Sequence, residues 1–143
     1  MNIDILAPAA ALAVWSLLIL LWMVAVRLPA FKKAGINLAE ARPGGRRGVD
    51  FEPMVDDSVN WKAHNYTHLH EQPTVFYMVV LILALSNGAT EFNILLAWLY
   101  TAFRVLHSIV QVTTNYVPVR FLFFFLSTVA LILLALSALQ LTL

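Results

Sequence analysis

Arg104, His107, Ser108 and Gln111 stand in the stretch RVLHSIVQ, inside an otherwise apolar run. A helix turns by about 100° per residue, which brings His107, Ser108, Gln111 and also Tyr100 within about 60° of Arg104. Leu106, Ile109 and Val110 fall on other sides. An arginine at membrane depth costs roughly 2.5–3.5 kcal/mol on insertion scales, so this stripe must face other helices, a subunit interface or a wet pocket. The chemistry on offer is anion binding, by a forked guanidinium helped by an imidazole and an amide. The plainer reading is mutual locking of helices through hydrogen bonds, which suits Ser108 and Tyr100 equally well.

A second group lies upstream. His64, His68 and Glu71 are spaced i, i+4 and i+7, on one helix face, with Lys62 and His70 pointing away. A glutamate at or inside the membrane boundary needs a cation. Arg104 and His107 are the candidate donors, and a charge-assisted pair between Glu71 and Arg104 is expected. The cluster has three open uses. It can hold an anionic head group on the cytoplasmic side of a lipid-facing groove. It can bind a metal, since paired histidines at i, i+4 plus Glu71 have suitable geometry. It can also simply line a solvated helix entrance.

The elements that must carry these residues are membrane spans. A spanning helix needs about 20 apolar residues. Leu6 to Val26 is such a run, closed by Arg27. No basic residue precedes it and its apolar core is too long for a signal peptide, so it reads as a retained helix over 6–26. Residues 28–57 read as a polar loop with Gly and Pro punctuation, including a weakly amphipathic piece around Phe31–Glu40. The second helix is expected over 58–86, capped by Ser58 and kinked at Pro73, its front half polar. The third covers about 93–112 and the fourth 121–143, the last without a single charge.

Composition agrees. Of 143 residues 61% are hydrophobic and 12% charged, well outside the range of soluble domains. Seven of nine Lys/Arg lie between Arg27 and Lys62. The net charge of +1 argues against a nucleic-acid-binding role, which needs a concentrated basic face. The absence of cysteine excludes disulfides, protein thiolate nucleophiles and cysteine–metal sites. The fold class is therefore an all-α, integral membrane four-helix bundle of one domain, residues 1–143. Arg27, Lys32, Lys33, Arg42, Arg46, Arg47, Lys62 and Arg120 gather at one end, so both termini are expected outside the cytoplasm and the long loop within it.

Two segments resemble the MAPEG superfamily, the membrane-associated proteins of eicosanoid and glutathione metabolism. RVLHSIVQVTTNYVPVR is similar to the family's third-helix pattern of Arg, two residues, His and Ser/Thr, followed by a Pro-x-Arg turn. Arg104, His107, Ser108, Pro118 and Arg120 fall in register. HNYTHLHEQPTVF is similar to its second-helix pattern, and Glu71 keeps the acidic position. The departures are His64 where arginine is usual, His68 for asparagine, Gln111 for the tyrosine of the eicosanoid enzymes, and Phe121 for a serine. Histidine is a weaker and pH-dependent substitute for a forked arginine.

The resemblance implies a homotrimer of MAPEG-like bundles in the bacterial inner membrane, with glutathione bound between subunits. His64, His68, Glu71, Arg104, His107 and Gln111 would bind that cofactor, and Arg120 would stabilise its thiolate during attack on a lipophilic small molecule from the bilayer. The other function expected is a non-catalytic protein that holds membrane lipid or a quinone-like molecule, or a membrane subunit of a larger complex.

Overall fold

The computed structural model describes residues 3–40, 44 and 47–143. Arg42 and Arg46, counted in the charge asymmetry, lie outside the described residues. Among these residues five α-helices follow in order: α1 (Leu6–Lys33), α2 (Asp57–His68), α3 (Gln72–Leu85), α4 (Glu91–Thr113) and α5 (Val117–Thr142), with two short 3-10 turns between α1 and α2. They make four segments long and apolar enough to cross a membrane, α2 and α3 together forming the second.

The first helix outruns the expected one. Arg27 marks the edge of the apolar run, but not of the helix, which continues through Pro29 to Lys33, where the flanking Arg, Leu, Ala and Lys favour helix. The helix ends only before Gly35, whose positive φ of 76° suits a C-terminal reversal. Lys32 and Lys33 occupy its last turn, where cations complement the helix dipole. At 1.5 Å per residue the 28-residue helix is about 42 Å long, more than the roughly 30 Å of a hydrocarbon core.

The second span is not one kinked helix. It breaks between His68 and Gln72. Pro73 has no N–H to give and its ring opposes the carbonyl four residues earlier, so the helix stops ahead of it and restarts with proline in the first turn. The start also differs: Asp56, not Ser58, occupies the N-cap position. The freed carbonyls cannot be left bare at membrane depth. The Arg104 side chain donates to the His68 carbonyl at 2.9 Å, and Thr74 Oγ1 donates to that of His70 at 2.6 Å.

Helix α4 holds the centre, packed on α1, α2 and α5, while α3 lies against α5 and α1. Its inner face carries Leu96, Ala97, Tyr100, Thr101, Arg104, His107, Ser108 and Gln111, all buried, whereas Leu106 and Ile109 are about 40% exposed. The polar stripe therefore points inward and the apolar faces outward. Phe76 stacks on Tyr100 with ring centroids 4.1 Å apart, and Leu12, Ile19, Val80, Leu83 and Leu134 fill the core around them.

The bundle's two ends are closed differently. At one end, Gly88 sits so close to Leu83 and Leu141 that a Cβ there would meet their side chains within 2.8 Å. Asn93 ties this end together, donating to the Gly88 carbonyl at 2.8 Å and to Ser137 Oγ at 2.9 Å. At the other end, Glu52 of the long connection and Asn115 of the α4–α5 turn border the same pocket, which puts both connections on one side.

Asn93→Ala strips both acceptors of their shared donor. Thermal unfolding in detergent should show a loss of about 1–2 kcal/mol, the scale of interhelical hydrogen bonds in model membrane helices.

Candidate functional site

The break between α2 and α3, the middle of α4 and the first turns of α5 enclose a cavity of about 400 Å³. Its polar wall is His68, Glu71, Gln72, Arg104, His107 and Arg120. Its apolar wall is Val117, Phe121 and Phe124. The apolar residues are also exposed on the outside of the bundle, Phe121 to 63% and Val117 to 58%, so the cavity joins a charged interior to the lipid-facing surface.

Arg104 is the deepest of the group, 2% exposed. Its Nη2 donates to the His68 carbonyl, and its guanidinium lies 5.8 Å from the centre of the Phe124 ring. Its Nε and Nη1 have no hydrogen-bond partner. The expected pair with Glu71 does not form: among the described residues no carboxylate lies within ion-pair distance of Arg104. The helix break is the reason. It removes Glu71 from the face it would share with His68 on a continuous helix and leaves it exposed at the head of α3.

His107 works on the backbone of α5. Its Nδ1 lies 2.8 Å from the Arg120 carbonyl oxygen and its Nε2 3.2 Å from Gln111 Oε1. Both bonds form together only on the doubly protonated ring. The neutral ring keeps the bond to the carbonyl while the Gln111 amide turns over. Gln111 itself is 2% exposed and stands behind His107 rather than on the cavity wall. His64 lies elsewhere, in a separate pocket of about 320 Å³ with Asn60, Trp61 and Asn115. Its Nε2 is 3.0 Å from Glu52, a carboxylate that Arg27 also approaches, at 3.9 Å. His64 is thus apart from His68 and Glu71, and among the described residues no group of three His, Asp or Glu side chains comes together as a metal site.

Three residues emerge only from the fold. Gln72 lines the cavity, its amide fixed by donating to Thr128 Oγ1 at 2.9 Å and accepting from the Tyr100 hydroxyl at 3.4 Å. Asn65, fully buried, donates to Ser108 Oγ at 2.6 Å, and Trp15 Nε1 donates to the same oxygen at 2.8 Å. Asn115 accepts from Arg120 Nη1. For Gln72 a signal existed, since it adjoins Glu71 ahead of the helix-breaking proline. For Asn65 and Asn115 the partners lie on other helices or across a turn, and nothing local marks them.

Four spans, a polar stripe turned inward and a charged cavity beside it define an integral membrane protein with a polar internal cavity. The chain belongs to the MAPEG family, whose sequence model matches residues 5–140. Searches of curated proteins and of solved structures each found no significant match.

Ser108→Ala leaves the Trp15 indole and the Asn65 amide without their shared acceptor. A stability loss of about 1–3 kcal/mol is expected in thermal unfolding. Adding Asn65→Leu, which removes a stranded donor, should restore part of the loss, a non-additivity that a double-mutant cycle measures.

Proposed function

We propose that this MAPEG-family protein is a glutathione-transferase-like membrane enzyme, binding glutathione in the cavity around Arg104 and Arg120 and joining it to lipophilic electrophiles that arrive from the bilayer. One observation carries this reading: two guanidinium groups, Arg104 and Arg120, and one carboxylate, Glu71, border a single cavity. Glutathione bears two carboxylates and one ammonium, the complement of that set.

The energetics of Arg104 support an anionic guest. One hydrogen bond to a charged group contributes about 1.5–3 kcal/mol. Insertion of the arginine costs about 2.5–3.5 kcal/mol on the gentlest scales. A carboxylate received by the two unpartnered nitrogens offsets the remainder through charge-assisted bonds. The volume of about 400 Å³ falls in the range of small-molecule sites, roughly 300–1,000 Å³.

Bound glutathione supplies the thiol, since the chain has no cysteine. Arg120, where the polar and apolar walls meet, provides the positive charge that favours an ionised thiol beside it. Arg104 and Glu71 hold the peptide, His68 and His107 complete the polar wall, and Phe121 and Phe124 receive the lipophilic partner. The exposed lip of Val117 and Phe121 fits a site completed by a neighbouring protomer, as in a homotrimer. Arg27, Lys32, Lys33, Arg47, Lys62 and Arg120 belong to the end that carries the long connection, so we place that end in the cytoplasm of a bacterium, the protein in the inner membrane and both termini outside the cytoplasm.

A second reading, a non-catalytic lipid- or quinone-binding protein or membrane subunit, is favoured by the placement of His64 in a separate pocket and of Gln111 behind His107. Both leave fewer donors around the cavity.

Conjugation assays with several electrophiles separate the two. Arg120→Ala should lower the rate roughly a hundredfold or more, the scale of losing an electrostatic stabiliser. Equal rates in wild type and variant would sink the enzymatic reading. Co-purified lipid without glutathione in native mass spectrometry would favour the second.

A further inference from the structure

Arg120 does not stand free in the cavity wall. Its Nη1 donates to the side-chain oxygen of Asn115, in the turn between α4 and α5. Asn115 is fixed in turn by its backbone. Its φ of 50° is left-handed, and its N–H donates to the Val110 carbonyl at 2.7 Å, closing the last turn of α4. Asparagine is among the few residues with a side chain that adopt this conformation readily. The chain thus reverses at a point where the side chain is aimed at the first turn of α5. The same turn is tied from the other direction by His107, through the carbonyl of Arg120.

We propose that Asn115 is the positioning residue for Arg120: it anchors one end of the guanidinium and leaves the other end to an anion in the cavity. The inference rests on the reading of Arg120 as the cation of the binding site, and adds a residue to it. The chemistry of the anchor matters. A carboxylate here would also hold the guanidinium, but it would pair with its charge and weaken the field on an anionic guest. An amide oxygen holds without neutralising. Arg104 shares the cavity, and the like charge of the two guanidiniums drives them apart. Without a tether, Arg120 at the half-buried start of α5 would swing toward water. Asn115 also borders the pocket that contains His64.

Two substitutions test the anchor apart from the turn. Asn115→Gly keeps, and even favours, the left-handed backbone while deleting the side-chain oxygen. Asn115→Asp also tolerates this conformation and replaces the neutral acceptor by a charged one. The direct readout is modification of Arg120 by phenylglyoxal, followed by peptide mass spectrometry on the full-length protein in detergent, with Arg104 as the internal reference. Arg120 should react at least about threefold faster in the glycine variant and more slowly than wild type in the aspartate variant.

A role confined to the turn would move Arg120 in the same direction in both variants, or in neither. Either result overturns the proposal. If the glycine variant fails to fold, the aspartate variant decides alone: slower modification upholds the anchor, and an unchanged or faster rate refutes it. Glutathione added to wild type is a separate arm. Protection of Arg120 speaks to the binding reading, and its absence, with opposite shifts in the two variants, would overturn that reading while leaving the anchor in place.

Discussion

The bond from Arg104 to the carbonyl of His68 is the interaction on which the site depends. Pro73 prevents the second span from continuing as one helix, and a broken helix leaves carbonyls without donors. At membrane depth no water is at hand to take them. Arg104 reaches across from α4 and fills one of these needs, so the guanidinium and the break justify each other. The break opens the space beside α4, and the arginine that serves it remains with nitrogens to spare. A charged cavity thus lies where a local failure of helix geometry is repaired by a charge.

The rest of the polar interior is arranged around that pair. Ser108 receives donors from both α1 and α2, Gln72 links Tyr100 of α4 to Thr128 of α5, and His107 holds the carbonyl of Arg120. Each bond crosses between spans, and each lies on the inward stripe of α4 or one step from it. Between apolar helices in lipid, association rests on packing and such hydrogen bonds, not on hydrophobic exclusion. The same side chains therefore fix the relative placement of the helices and shape the cavity walls.

The cavity is two-faced by construction. Its interior ends at charged groups borne by α4, α5 and the head of α3. Its outer edge is aromatic and belongs to the exposed face of α5. An amphipathic guest, or two guests of opposite character, can meet there without either leaving its preferred surroundings. Gly88 and Asn93 close the opposite end of the bundle by tight packing and hydrogen bonding, away from the cavity.

Much was legible in the chain by itself. The spans follow from apolar runs that only lipid can accommodate, and the inward stripe from 3.6-residue periodicity together with the penalty on a lipid-facing arginine. The family pattern around Arg104, His107 and Arg120 could be read because those residues are close in sequence or separated by one short turn. An ion pair of Glu71 with Arg104 follows only if the second span is one unbroken helix; proline at 73 ends that helix, and the two residues border the same cavity without pairing. Periodicity also groups His64 with the cavity, but it lies in another pocket, 3.0 Å from Glu52 of the long connection, whose sequence has no regular pattern to announce the contact. Which carbonyl Arg104 serves, which amide faces the cavity from Gln72, and what Asn115 holds were decided by tertiary structure alone. Local sequence fixes the direction of a side chain relative to its own helix, but its partner depends on how far neighbouring helices are shifted and turned, and that is set only when all of them pack at once.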